Sequence, residues 1–417
     1  MTITTERREI DRWPGLHDVP TGPRARIAAR VARRLFTAAV ERLDVTVLVG
    51  DRVLGRGGPV AVVHRPEEFF ARLGRDQLIG FGEAYLTGAW DAEDLAGFIA
   101  VLAADVPSLV PAPLQRLRSL VVARPPRHER GSRRHTRENI AHHYDLSNDL
   151  FAVFLDPSLS YSSGLFADDP GTVGRSDLEA AQHRKIDRLL DLAGVGAGTR
   201  LLEIGTGWGE LAIRAARRGA TVHTITLSVE QQRLAQDRVA AAGVADRVAI
   251  EICDYRSVTG SYDAVVSVEM IEAVGWRYWR TYFETIDRLL RPGGRAAVQA
   301  ITMPHDRMLA TRNTHTWINK YIFPGGFLPS VRAIDEVTRT HTALRLSDRL
   351  AFGQHYAATL RLWDQAFRGS AAEVRGLGFD QTFLRMWHFY LEYSRAGFAS
   401  GYLDVQQLTF SKTGETE

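Results

Sequence analysis

Hydrophobic and polar positions divide this chain into two regimes. Between residues 20 and 115 the pattern is mixed. Ile27, Val31 and Leu35 recur at helical spacing with arginines between them, which predicts an amphipathic helix over Arg24–Leu43. The stretch VTVLVGDRVLGRGGPVAVVHRP alternates over short runs split by glycines and predicts two or more short strands. LIGFGEAYLTGAW, Leu78–Trp90, mixes aromatic residues with three glycines and reads as a tightly packed turn region. Residues 92–120 keep a helical pattern up to the prolines. From about Ala180 the regime changes: helical segments alternate with five apolar runs, TRLLEIGTG, ATVHTITLS, RVAIEICDY, YDAVVSVEM and GRAAVQAIT. Strands separated by helix-length pieces predict a parallel sheet covered on both faces. The tail after Leu346 reads mostly as helix.

The fold class expected is therefore α/β, a doubly wound Rossmann-like sheet with a smaller α+β domain before it. At 417 residues the chain has room for both. The boundaries expected are an accessory, lipid-binding domain over 1–115, a basic linker over 116–137 and a catalytic domain over 138–417. The linker stands out by charge. Arg116–Arg137 holds eight arginines and one glutamate, with Pro125, Pro126 and Gly131 inside it. Such a stretch cannot bury itself, and reads either as a solvated connector or as an electrostatic foot on anionic headgroups. The single cysteine, Cys253, excludes an internal disulfide and the paired-cysteine zinc spacings, and no metal site is expected. The opening residues MTITTERREIDRW lack the apolar core of a secretory signal, and no run reaches the ~18 apolar residues of a membrane span. A cytoplasmic protein, peripheral at the inner face of the membrane if its substrate is lipid, is the expectation.

Candidate chemistry concentrates in LLEIGTGWGE, Leu201–Glu210, where an apolar strand runs into Gly205-Thr206-Gly207-Trp208-Gly209 and a helix follows. Glycines suit a sharp turn with a ligand close to the backbone. The spacing is not that of the dinucleotide fingerprint. The next strand ends at Thr226 with Gln231 beyond it, and the third ends at Asp254 and Tyr255, a polar and an aromatic residue suited to an adenine amine and ring. Polar groups at the C-terminal ends of successive strands lie where a doubly wound sheet binds its ligand. The set resembles class I S-adenosylmethionine (SAM)-dependent methyltransferases. A Rossmann dehydrogenase is the structural competitor, with nothing resembling a hydride-transfer site to support it.

Longer motifs narrow the resemblance. NIAHHYDLSNDLFAVFLDPSLSYSSGLF (Asn139–Phe166), SVEMIEAVG (Ser267–Gly275), QAIT (Gln299–Thr302), WINKYIFPGGFLP (Trp317–Pro329) and HYAATLRLW (His355–Trp363) are similar to cyclopropane fatty acid synthases. The whole chain is most similar to the actinobacterial branch that makes 10-methylene fatty acids on the route to tuberculostearic acid. That resemblance implies cofactor contacts at Tyr161, Ser162, Gly205, Gly207, Thr226, Gln231, Asp254 and Tyr255. It also implies a bicarbonate ion acting as base, held by a Cys, a Glu, a His and a Tyr. Glu272 and Tyr356 match the Glu and the Tyr, whereas Ser163 stands at the Cys position and Gln299 at the His position. Both departures count against the ion, although Ser163, Gln299 and the Ile301 backbone still offer hydrogen bonds. Glu269 adds a carboxylate three residues before Glu272, on the same face of a helical turn, and reads equally as a replacement base or as a surface or capping glutamate.

The chemistry implied is methyl transfer to the double bond of an unsaturated, oleoyl-like acyl chain in membrane phospholipid. The resulting carbocation needs a dry pocket, aromatic faces and negative charge. Tyr161, Tyr321, Phe323, Trp317 and Tyr356 are candidate lining residues, with core packing as the plainer role for Trp317 and Phe323. His142 and His143 read as part of a structural lid, and His355 as a neighbour of Tyr356. A 10-methylene product is the leading expectation and a cyclopropane ring the alternative. A catalytically dead lipid-binding protein is the alternative of another class, and nucleic-acid methylation lacks its motif. Expected partners are the phospholipid surface, unsaturated acyl chains and a separate reductase acting on the methylene product. A homodimer is left open.

Overall fold

Strands alternate with helices through most of the chain because short apolar runs are punctuated by glycine turns and capped amphipathic segments. The computed structural model describes residues 13–104 and 147–413. In chain order the elements are α1 (Pro23–Val40), β1 (Thr46–Val49), β2 (Arg52–Gly55), β3 (Val60–Val63), α2 (Pro66–Leu86), β4 (Trp90–Ala92) and α3 (Leu95–Ala104). After the undescribed stretch come α4 (Asn148–Phe154), α5 (Leu178–Leu192), β5 (Arg200–Ile204), α6 (Glu210–Arg217), β6 (Thr221–Thr226), α7 (Val229–Ala241), β7 (Val248–Ile252) and β8 (Tyr262–Val268). They are followed by α8 (Ile271–Val274), α9 (Trp279–Leu289), β9 (Leu290–Thr302), α10 (His305–Thr311), α11 (Trp317–Tyr321), α12 (Val331–His341) and β10 (Leu344–Ala351). The chain closes with α13 (Gly353–Gly369), α14 (Ala371–Gly376), α15 (Gln381–Ala399) and β11 (Asp404–Lys412). The basic linker, His142 and His143 lie outside the described residues.

The chain forms two compact units. The larger holds a seven-stranded sheet in the order β10-β11-β9-β8-β5-β6-β7. Strands β5 to β9 are those expected from the five apolar runs, and all pair in parallel. Their central members are buried on both faces: Leu201 and Leu202 of β5 and Val265 and Val266 of β8 are all fully inaccessible. One face packs on α9 through Tyr282, Phe283, Ile286 and Leu289. The other packs on α5 and α6 through Ile186, Leu189, Leu190, Ala212 and Ala216. The tail is mostly helical, as expected, but it also holds two strands that the pattern did not suggest. Strands β10 and β11 extend the sheet beyond β9 by antiparallel pairing. β11 carries Val405, Leu408 and Phe410 in the core among polar Gln406, Gln407 and Thr409, a mixed run that gives a weak strand signal.

The smaller unit gathers three separate stretches: the N-terminal elements, Thr314–Lys320 and Phe367–Ser400. Residues 314–320 and 367–400 thus cluster with the N-terminal elements, although they fall within the expected catalytic span of 138–417. Its core is aromatic. Trp90 contacts Phe81 at 4.4 Å, Tyr85 at 5.2 Å and Phe98 at 5.8 Å between ring centroids. Trp317 is buried against Phe389 at 4.7 Å, so it packs this core and does not line a reaction pocket. The Leu78–Trp90 segment is helical up to Leu86, not a turn region. Its glycines serve close packing: a Cβ on Gly82 would lie 2.4 Å from the Trp317 indole.

Helix α1 also departs from expectation. Ile27 and Val31 are 62% and 53% exposed. The side turned to α2 is instead rich in alanine, and a Cβ on Gly74 would lie 2.6 Å from the Ala28 backbone. Small residues let the two helix backbones approach, which makes the alanine side the buried one. Gly74→Val should therefore lower stability by about 1–3 kcal/mol through overpacking, whereas Ile27→Ser should stay within about 0.5 kcal/mol of wild type. Thermal and denaturant midpoints of the two variants check this; equal losses would contradict the assignment of the buried face.

Candidate active site

The parallel strands end on one edge of the sheet, and the loops leaving those ends carry the candidate residues. After β5 the chain turns through Gly205 (φ 103°) and Gly207 (φ 52°), both left-handed. A side chain at Gly205 would be driven into Met270, 2.6 Å from its Cβ, while the space beside Gly207 is open for at least 4 Å. The loop therefore presents bare backbone at the N-terminus of α6. At the end of β6, Thr226 Oγ1 donates to Gln231 Oε1 at 3.0 Å, and Ser228 caps α7 by accepting from the Gln231 amide. After β7, Asp254 caps a short 3-10 turn and is held bidentately by Arg256. Tyr255 follows it, its buried hydroxyl unpartnered and its pKa pushed up to about 12 by burial. Tyr161 stacks on Trp363 with centroids 5.3 Å apart and meets Phe151 edge-on.

A second cluster forms after β8. The register across the sheet aligns Val268 with Gln299 of β9, and Gln299 with Gln407 of β11. Glu269, the next residue after β8, adopts φ 50°, a left-handed conformation unusual for a side chain of its kind. It does not share a helical turn with Glu272 as expected, because α8 begins only at Ile271. Its backbone is pinned by donation from Glu269 N to Gln299 O at 2.8 Å. Its carboxylate accepts from the Ser163 amide at 3.0 Å and from Gln299 Nε2 at 2.8 Å. Tyr356 also donates to it, and buried Lys185 attracts it. Glu272 accepts from the Ile301 amide at 2.5 Å through Oε1, while its other oxygen is buried without a partner. Ser163, Glu269, Gln299, Tyr356 and Glu272 are thus brought together. The backbone link from Phe327 N to Glu272 O at 2.8 Å brings the 323–327 turn, and with it Phe323, beside them.

Burial sets the electrostatics. It raises the pKa of Glu269 above the usual carboxylate range. It raises Glu272 to about 8, with the neighbouring Glu269 charge as the second cause. Two like charges so close oppose each other's ionisation. Hydrogen bonding favours the charge on Glu269, which has three donors and a nearby cation, and the proton on Glu272.

Three residues of the site went unnoticed in the sequence. Lys185 of α5 is fully buried, donates to Ser162 Oγ at 2.6 Å and has its pKa lowered to about 8 by burial. Glu203 at the end of β5 has one oxygen without a partner and a pKa raised to about 8, again by burial. Gln407 donates to Gln299 Oε1 at 3.0 Å and so turns the Gln299 amide nitrogen toward Glu269. An acid near the end of an apolar strand, two residues before a glycine loop, was the available signal for Glu203. Lys185 and Gln407 gave none, since each sits in an ordinary amphipathic or strand pattern.

Residues 131–408 match the mycolic acid cyclopropane synthetase family. The chain belongs to that family. The chain is 52% identical, over 99% of its length and 100% of the relative's, to the tuberculostearic acid methyltransferase UfaA1 of Mycobacterium tuberculosis. It is 32% identical to the cyclopropane-fatty-acyl-phospholipid synthase of Escherichia coli K12, over 87% of this chain and 93% of that one. Among solved structures it is similar to the cyclopropane synthase MmaA2 of Mycobacterium tuberculosis, with 29% identity, TM-score 0.61, and 66% and 98% of the two chains covered. It is also similar to the mycolic acid cyclopropane synthase CmaA1 in complex with SAH and CTAB, with 30% identity, TM-score 0.60, and 66% and 98% covered. The protein is a SAM-dependent methyltransferase with the α/β fold expected of one.

The loop fits that cofactor: open backbone at Gly207 gives room, and the unpartnered Glu203 oxygen suits an ammonium group. Bicarbonate does not fit. Ser163 N, Gln299 Nε2 and the Tyr356 hydroxyl already serve the Glu269 carboxylate, and a further anion beside two buried carboxyl groups would be repelled.

The raised Glu272 pKa has a consequence for stability. The folded protein retains a proton up to about pH 8 that the unfolded chain releases near 4.5, so this group's contribution is lost as pH rises through that window. Glu272→Gln removes the loss. The melting temperature of the variant should gain on wild type as pH rises from about 5 to about 8; parallel curves would contradict the assignment.

Proposed function

We propose that this methyltransferase transfers the SAM methyl group to the double bond of an oleoyl-like acyl chain in membrane phospholipid and releases a 10-methylene acyl chain. The observation that carries the reading is the Glu269 carboxylate, buried and held where Ser163, Gln299 and Tyr356 converge. The full-length similarity to a tuberculostearic acid methyltransferase supports the product. SAM supplies an electrophilic methyl group. The alkene π pair forms the new carbon–carbon bond as the methyl leaves sulfur, and a cation develops on the neighbouring acyl carbon. Glu269, ionised, stabilises that charge in a site from which water is excluded. A hydride shift from the methylated carbon moves the cation onto that carbon. Glu269 then takes a proton from the new methyl group, and the released pair becomes the exocyclic double bond. Glu272, carrying its own proton, keeps the total charge of the cluster at one. Tyr161, Tyr321, Phe323 and Tyr356 are the aromatic faces proposed around the cation. Tyr161, Ser162, Gly205, Gly207, Thr226, Gln231, Asp254 and Tyr255 are the proposed cofactor contacts, with Glu203 added to them.

Ring closure is the second reading, favoured by the similarity to the Escherichia coli enzyme. It uses the same base without the hydride shift. Converting a methylene into a saturated methyl branch requires a hydride donor, so a separate reductase is the proposed consumer of the product. A protein acting on bilayer lipid from the cytoplasmic side fits this reading, and no helix among the described residues is long and apolar enough to cross a membrane.

Proton NMR of the fatty acid released after incubation with SAM and oleoyl phospholipid should show vinylidene protons. Ring protons alone would establish the second reading, and SAM binding with no turnover on any unsaturated lipid would indicate a dead enzyme.

The base assignment has its own test. Glu269→Gln should lower turnover about a thousandfold, and Glu272→Gln much less, because the amide mimics a protonated acid. Glu269→Gly relaxes the left-handed backbone and vacates the carboxylate's place. Added bicarbonate should restore part of its activity while leaving wild type unchanged. Full activity of Glu269→Gln would refute the role.

A further inference from the structure

The smaller unit exposes an apolar ridge that its own core does not use. Ile27 and Val31 are 62% and 53% exposed. On an ideal helix Ile27, Val31, Arg34 and Ala38 fall within one sector of roughly 60°, with Arg24 and Arg30 on its two flanks. Helix α1 carries five exposed arginines, Arg24, Arg26, Arg30, Arg33 and Arg34, and no acidic residue between Pro23 and Val40. Arg33 pairs with Glu67 and lies over the Phe70 ring. Among the described residues none of the other four has an acidic partner. Exposed Ile27 and Val31 set among guanidinium groups, Arg34 beside them and Arg24 and Arg30 on the flanks, make the pattern of a helix lying in a bilayer interface, with side-chain stems in the headgroup layer and cations on phosphate.

We propose that the outward face of α1 docks on an anionic phospholipid bilayer, an inference that deepens the reading of the substrate as membrane lipid and rests on it. Charge decides the occupant. A second copy would set five arginines against five. Nucleic acid would satisfy the arginines but leave the ridge between them in water.

Co-sedimentation of the full chain with phosphatidylglycerol vesicles and with phosphatidylcholine vesicles tests the face. Wild type should prefer phosphatidylglycerol, and its binding should weaken as salt rises. Ile27→Ser with Val31→Ser, and separately Arg24→Gln with Arg30→Gln and Arg34→Gln, should each weaken binding by about tenfold or more. Turnover on oleoyl lipid dispersed in non-ionic detergent should stay within twofold of wild type in both variants. Unchanged vesicle binding by both variants would overturn the proposal. So would a change in oligomeric state with vesicle binding intact, or tighter binding to duplex DNA than to vesicles. Vesicle binding is read without turnover, so a wild type that binds vesicles but methylates no lipid would count against the substrate and not against the docking face.

Discussion

Two carboxyl groups buried side by side cannot both be ionised without a large desolvation and repulsion penalty, and the sheet is built to decide which one is. Glu269 receives the Ser163 amide, the Gln299 side chain, the Tyr356 hydroxyl and the attraction of Lys185. Glu272 receives the Ile301 amide and its own backbone amide, and among the described residues no side chain donates to it. Unequal hydrogen bonding separates their affinities for a proton, which is how a buried pair acquires distinct acid and base roles. The other features of the site maintain that inequality.

Register does much of the maintaining. Gln299 and Gln407 face each other across β9 and β11, so the orientation of one amide dictates the other, and Arg188 fixes the far end by donating to Gln407 Oε1 at 2.8 Å. The cost is visible in the backbone: Glu269 sits in a left-handed conformation that glycine would take without strain, of order 1 kcal/mol for other residues. The strain persists because Glu269 is tied to Gln299 through both main chain and side chain. On the proposed assignment the base is a residue of the chain itself.

Much of the sheet domain was legible from sequence because β5 to β9 are buried on both faces and leave continuous apolar runs next to a glycine loop. Strands β10 and β11 were not, since their polar residues, Gln406 and Gln407 among them, are buried by pairing with one another and with neighbours and not by apolar packing. Helix α1 was placed correctly along the chain but turned the wrong way: Ile27 and Val31 suggested the buried face, whereas alanines and Gly74 permit the closer approach. Glu269 and Glu272 were both found, but the geometry joining them was not, because a left-handed turn at a glutamate has no periodic signature. Lys185, a lone buried cation on an amphipathic helix, could be recognised only once its neighbours Ser162 and Glu269 were in place.

The protonation of the carboxyl pair is the claim most open to direct measurement. Infrared difference spectra of wild type against Glu272→Gln report the state of Glu272 itself. At pH 7 the difference should contain the carbonyl stretch of a protonated carboxylic acid, and that band should fade as pH rises through about 8. Bands of an ionised carboxylate at pH 7 would contradict the account, because Glu272 would then carry the charge assigned to Glu269.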